Sequence, residues 1–215
     1  LEVMYLSWII PAYNEAKLIE KTIREVDIYL KSKNLPGGYE ILVADSSSKD
    51  RTQVIVRDLK SEISNLQLLV VENKGKGWAV REGMLKCQGD IRLFSDADNA
   101  TSPDHFDKMI PLFNQGYLVV ISSRHSLDAK GAMQDVPETL VRRLAGKAGN
   151  LLIQFLAVPG IWATQCGFKA FKKEAIQKIL PTIKEQGWNW DTEVLVKATW
   201  MGFKIKELPA KVITL

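Results

Sequence analysis

Two cysteines in 215 residues, Cys87 and Cys166, stand far apart and form neither a disulfide framework nor a metal-ligand pattern. Free thiols in a reducing compartment are the simplest reading. Long hydrophobic runs are missing as well. The longest uncharged stretch, Ala148 to Phe168, is broken by Asn150, Gln154, Pro159 and Gln165 and lacks the sustained apolar length of a membrane-spanning helix. No signal peptide is read at the start. Without a dense Lys/Arg tract or zinc-finger spacing, nucleic acid is not an expected partner. No G-x-G-x-x-G follows the first strand-like segment, which disfavours a nicotinamide-binding enzyme.

What is present is an ordinary globular composition, 46% hydrophobic and 25% charged, in one chain long enough for a sizeable core. A net charge of +4 favours an anionic partner. The first half alternates short apolar runs with helical stripes. Tyr5–Pro11, Glu40–Asp45, Leu66–Val71, Asp90–Asp96 and Tyr117–Ser122 read as strands. Between them, Ile19, Ile23, Val26 and Leu30 recur at spacings of three and four. Val80, Gly83, Met84 and Cys87 do the same, as do Phe106, Met109, Ile110 and Phe113. The pattern predicts an α/β fold with a mostly parallel central sheet flanked by helices. In the less regular second half, 139–158 reads as an amphipathic helix, 167–171 as a strand, Thr192–Trp200 as a helix and Lys204–Leu208 as a last strand. Linkers and internal repeats are missing, so 1–215 is read as a single domain.

Ligands of such sheets bind beyond the carboxyl ends of the strands. The polar clusters follow that rule. Tyr13, Asn14 and Glu15 come after the first strand, Asp45 ends the second, Asp96 and Asp98 end the fourth, and Ser123 and Arg124 follow the fifth. One site explains this better than four unrelated turns. Within FSDADNAT (94–101), Asp96 and Asp98 repel unless water screens them or a cation lies between them. A solvated turn and a divalent metal site both fit that pair taken alone. Asn14 and Ser48 likewise read either as helix caps or as parts of the site. Gly75-Lys76-Gly77 reads either as a basic turn or as an anion-attracting helix start.

Seven segments occur in order: IPAYNEA (10–16), ADSSSKDRT (44–52), NKGKGWAVREGM (73–84), SDADNAT (95–101), SSR (122–124), TQCGFKAF (164–171) and GWNWDTEVL (187–195). Together they resemble the inverting glycosyltransferases of family 2, which have a GT-A, Rossmann-like nucleotide-sugar-binding fold. Within that group the chain is similar to dolichyl-phosphate glucosyltransferases and other polyprenyl-phosphate sugar transferases. The resemblance covers nearly the whole chain. It implies a nucleotide-binding half of about 4–124 and an acceptor-side half of about 125–215.

The resemblance also implies roles. Asp96-Ala97-Asp98 would be the D-x-D that holds Mg²⁺ or Mn²⁺ on the sugar nucleotide's diphosphate, with Asp96 and Asp98 as metal ligands. Pro11, Ala12, Tyr13 and Glu15 would embrace base and ribose, Asp45 would hydrogen-bond the base, and Lys76 would lend charge. Arg124, Arg142, Arg143 and Lys169 would form a cationic rim for the diphosphate or the acceptor's phosphate, with Gln165 beside them. Asp98, Arg124, Lys169 and Asp191 would carry catalysis. The partners implied are a nucleotide sugar, with UDP-glucose favoured by Ala100-Thr101, and a polyprenyl or dolichyl phosphate. The cytoplasmic face of a membrane would be the place, with peripheral contact through 140–162.

Two departures stand out. Ala163 replaces an Asp that usually opens the TQCGFK motif, and the sequence ends at Leu215, where relatives commonly continue into a basic, glycine-containing lid. A phosphate acceptor is largely ionised at neutral pH, so it needs a general base less than a sugar hydroxyl does. The alternatives carried forward are a GDP-mannose-dependent polyprenyl-phosphate transferase, a transferase to a saccharide hydroxyl with Asp191 as base, and a silent nucleotide-sugar-binding module.

Overall fold

The computed structural model describes residues 4–73, 75–123, 133–134, 161, 164, 166–185, 187 and 189–212. Strand β1 (Leu6–Ala12) lies inside a seven-stranded sheet and every one of its residues is buried. Its side chains alternate between the two faces, as extended backbone requires. Leu6, Trp8, Ile10 and Ala12 enter one core, and Ile9 enters the other. The first core is closed by α1 (Ile19–Lys31), α2 (Thr52–Leu59) and α4 (Phe106–Asn114). The second is closed by α3 (Lys76–Lys86), α5 (Lys173–Ile179) and α6 (Trp190–Trp200).

The periodicity that predicts these helices is the periodicity of burial. Ile19, Ile23, Val26 and Leu30 on α1 are all fully buried, while Glu20 and Arg24 pair across one turn of its wet face at 3.0 Å. Trp8 anchors the first core. Its ring meets Phe106 and Phe168 edge-on, and its indole N–H donates to Ser95 Oγ at 2.8 Å. On the other face, α3 approaches closely because Gly83 has no side chain. A Cβ there would stand 2.7 Å from Ile9 Cγ2.

Strand order is β3 (Leu66–Val70), β2 (Tyr39–Asp45), β1, β4 (Ile91–Ser95), β7 (Phe168–Lys172), β5 (Val119–Ser123), β8 (Ile205–Pro209). β6 (Met133–Gln134) and β9 (Lys211–Val212) pair separately. The chain works outward from β1 through β2 to β3, then crosses back to lay β4 on β1's other side, parallel to it. That reversal opens a crevice at the carboxyl ends of β1 and β4, where a doubly wound sheet binds its ligand. β7 is antiparallel to both neighbours, so β5 and β8 still run in the direction of β1 and β4. The sheet is therefore mostly parallel, as expected, with one inserted antiparallel strand that its sequence does not announce.

Candidate active site

The loops after β1 and β2 are stitched to each other. Asn14, at φ 58°, donates its N–H to Ser48 Oγ at 2.9 Å and accepts the Lys49 N–H on Oδ1 at 2.8 Å. Glu15 N–H donates to Thr52 Oγ1 at 2.8 Å, and Ala16 N–H to Asp50 Oδ2 at 3.0 Å. Asn14 and Ser48 therefore brace one rim loop against the other and cap neither following helix, whose N-caps are Leu18 and Arg51. Pro11 and Ala12 are buried at the end of β1, and Tyr13 emerges with 47% exposure.

Asp45 closes β2 at zero exposure. Its Oδ1 accepts the Ser48 N–H at 2.9 Å and the Gln53 amide at 2.6 Å. Oδ2 is buried with no hydrogen-bond partner. A carboxylate oxygen without a donor is expensive in a protein interior.

Beyond β4 the chain turns sharply. Asp98 Oδ1 accepts the Ala100 N–H at 3.0 Å, Asn99 takes φ 49°, and Ala97 is pinned by Thr22 Oγ1 on its carbonyl at 2.5 Å. Asp98 thus shapes the turn, and its carboxyl lies near enough to Asp96 and Glu15 for the three charges to interact. Burial raises the Glu15 pKa, and the neighbouring charges of Asp98, Asp50 and Asp96 raise it further. Burial raises Asp96 too. Lys76 pulls it down, while Asp191 and Asp98 push it up.

Lys76 opens α3 just after Gly75, whose φ of 133° favours glycine. Its ammonium lies 2.8 Å from Asp96 Oδ1 and 3.4 Å from Asp191 Oδ2, over the Phe94 ring. Burial works against that charge, yet Asp191 and Asp96 hold the lysine pKa above its ordinary value. Asp191, at the start of α6, also accepts from Lys169 Nζ at 2.6 Å. The four groups alternate in sign, Asp96, Lys76, Asp191, Lys169.

This geometry corrects one expectation. Lys169 is not on a cationic rim. It sits on β7 at zero exposure, bound to Asp191 and to the Cys166 carbonyl. β7 lies between β4 and β5 with both faces covered, and alternation sets Lys169 on the α6 face, where it serves as the counter-ion of Asp191. Asp191 is only 3% exposed and has two ammonium neighbours, a poor position for a general base toward an acceptor. Arg124, Arg142, Arg143, Gln165 and Ala163 lie outside the described residues, as does the expected helix at 139–158.

One residue of the site carried no expected role. Gly167 donates no side chain, and the Asp96 carboxylate occupies the place a side chain would take. A Cβ on Gly167 would lie 1.7 Å from Asp96 Oδ2. The glycine inside TQCGFK was the available signal.

The site's donor set suits a hard dication. Asp96 and Asp98 offer the hard carboxylate oxygens such an ion prefers, and with Glu15 beside them like charges crowd each other. Among the described residues no group of three or more His, Cys, Asp or Glu side chains is arranged to hold a metal ion.

Residues 7–180 match the model of the family "Glycosyl transferase family 2". The chain belongs to glycosyl transferase family 2. It is 36% identical to a dolichyl-phosphate beta-glucosyltransferase of Trichomonas vaginalis over 97% of its length and 65% of the relative's. It is 32% identical to the enzyme of that name from Homo sapiens, over 94% of this chain and 65% of the other. The chain thus spans just under two thirds of these relatives. The solved glucosyl-3-phosphoglycerate synthase of Mycobacterium tuberculosis, in complex with Mn²⁺, UDP and its product, superposes with a TM-score of 0.71 at 18% identity. That match covers 99% of this chain and 73% of the synthase, and it places this family 2 member in the GT-A fold. No helix among the described residues is long and apolar enough to cross a membrane.

Proposed function

We propose that this chain transfers glucose from UDP-glucose to a dolichyl or other polyprenyl phosphate, with inversion at the anomeric carbon. The observation that carries the reading is the convergence of Asp45, Lys76, Asp96 and Asp98 on the crevice between β1 and β4, in a chain similar to dolichyl-phosphate beta-glucosyltransferases. In this reading the base packs beyond Pro11 and Ala12 with Tyr13 as its exposed wall, and Asp45 Oδ2 accepts the N–H of a uracil ring. Glu15 lies toward the ribose.

Asp96 and Asp98 would hold Mg²⁺ or Mn²⁺ there. Bound at the diphosphate, the ion would neutralise charge that develops on the leaving group. The α3 N-terminus and Lys76 add positive potential on the same side. Arg124, Arg142, Arg143 and Gln165 are proposed for the acceptor's phosphate on the strength of their motifs.

An ionised phosphate is favoured as nucleophile over a sugar hydroxyl because Asp191 is engaged by Lys169 and Lys76. The acceptor oxygen then attacks without first losing a proton to the protein. A lipid acceptor implies work at a membrane surface, with the nucleotide sugar arriving from the cytoplasmic side.

The test offers radiolabelled UDP-glucose and GDP-mannose with a short polyprenyl phosphate or a free oligosaccharide, in Mn²⁺. Label moving from UDP-glucose to the lipid phosphate is the expected result. Transfer to the oligosaccharide alone, from GDP-mannose alone, or binding without turnover would replace the reading.

A further inference from the structure

Lys76 joins two acids of very different access. Asp96 retains 38% side-chain exposure, and Asp191 retains 3%. A cation arriving from solvent meets Asp96 first, and Lys76 already occupies Asp96 Oδ1 at 2.8 Å. Asp191 cannot be drawn the same way, because Lys169 holds its other oxygen at 2.6 Å inside the fold. Phe94 forms an apolar floor under both ammoniums, with centroid distances of 5.6 Å for Lys76 and 5.3 Å for Lys169. The α3 start and the Gly75 turn fix where the lysine stem leaves the backbone.

We propose that Lys76 is the site's internal cation: in the metal-free protein it neutralises Asp96, and it yields that carboxylate to an incoming dication while staying paired with Asp191. The proposal rests on reading Asp96 and Asp98 as the metal ligands. Asp96 is held in place by this contact before any ion binds, so the crevice is prepared. The same contact makes Lys76 a competitor of the ion. Metal alone must displace an ammonium, and metal with a nucleoside diphosphate gives that ammonium a new anion to face. Lys76 thus couples ion loading to diphosphate loading, as a positioning residue acting through Asp96.

The experiment titrates Mn²⁺ alone, reading the free ion by electron paramagnetic resonance, into the parent, Lys76→Met, Lys76→Arg and Asp98→Asn proteins. The titration is repeated with UDP. Removing the competitor should tighten Mn²⁺ binding in Lys76→Met by about tenfold, the size of one charge-assisted contact. UDP should then improve Mn²⁺ binding less than it does in the parent. Lys76→Arg should restore parental behaviour on both counts. A merely structural lysine would not produce a gain of affinity.

The unaltered protein carries the test without a substitution. In ¹⁵N spectra of side-chain ammonium groups, Mg²⁺ should shift the Lys76 signal and leave that of Lys169 in place. Mn²⁺ binding that is equal or weaker in Lys76→Met, or a Lys76 signal unmoved at saturating Mg²⁺, overturns this proposal alone. Failure of the parent to bind Mn²⁺ with or without UDP, or undiminished binding by Asp98→Asn, overturns the metal reading and this inference with it.

Discussion

The carboxylate of Asp96 lies where Gly167 would carry a side chain, 1.7 Å from the position of a Cβ, while Asp96 N–H donates to the Gly167 carbonyl at 3.0 Å. The first acid of the D-x-D segment is thus positioned by a glycine 71 residues later in sequence. Gly167 is not among the positive-φ residues, so its backbone suits alanine. Gly167→Ala should fold and displace the Asp96 carboxyl. Mn²⁺-dependent UDP binding, measured by calorimetry, should weaken roughly tenfold or more, in line with loss of a charged contact.

Asp45 offers a separable test. Asp45→Asn keeps an oxygen for Ser48 and alters the group that holds the unpartnered Oδ2. UDP binding should weaken by about 1.5–3 kcal/mol, the usual worth of a hydrogen bond to a charged group. Mn²⁺ binding without nucleotide should be unchanged. Equal loss of both would place Asp45 on the metal side of the crevice instead.

The Lys169–Asp191 pair predicts a stability effect. Asp191→Ala leaves the fully buried Lys169 facing Lys76 without its counter-ion. Breaking such a pair should destabilise by about 3–5 kcal/mol. Adding Lys169→Met should recover much of the loss, which denaturant titration of the single and double variants would read. If the single change alters stability by about a few tenths of a kcal/mol, Lys169 does not depend on Asp191 as its buried counter-ion.

His105 sets an acid limit. It is 4% exposed, meets Phe168 edge-on, and its Nε2 has no partner. Burial, with help from Lys108, lowers its pKa from 6.5 to about 4. The folded protein therefore keeps it neutral where the unfolded chain protonates. Its contribution to stability is intact above about pH 6.5 and lost as pH falls toward 4, by at most about 3 kcal/mol. His105→Leu should remove this component, so the variant's unfolding midpoint should fall less than the parent's between pH 7 and 5.

Much of the donor side was legible because local pattern and function coincide there. Apolar spacing in 19–30 gives α1, and the rule of carboxyl-end loops gathers Glu15, Asp45, Asp96 and Asp98 before any coordinates exist. Sheet order was not legible. Nothing local in FKAFK announces that β7 runs antiparallel between β4 and β5, since that depends on contacts distant in sequence. Lys169 was misplaced for the same reason. Its charge suggested a rim, whereas the place of β7 between β4 and β5 and the distant Asp191 keep it inside. Gly167 was signalled only by a glycine inside TQCGFK, and its role, the space it leaves for Asp96, depends on a contact distant in sequence.

The most direct measurement of the central claim compares UDP-glucose binding to the parent and to Asp98→Asn, with and without Mn²⁺, by isothermal calorimetry. Tight binding that requires Mn²⁺ in the parent and disappears in the variant is the predicted result. Binding that is indifferent to Mn²⁺, or that survives undiminished in Asp98→Asn, would contradict a dication held between these acids and the diphosphate.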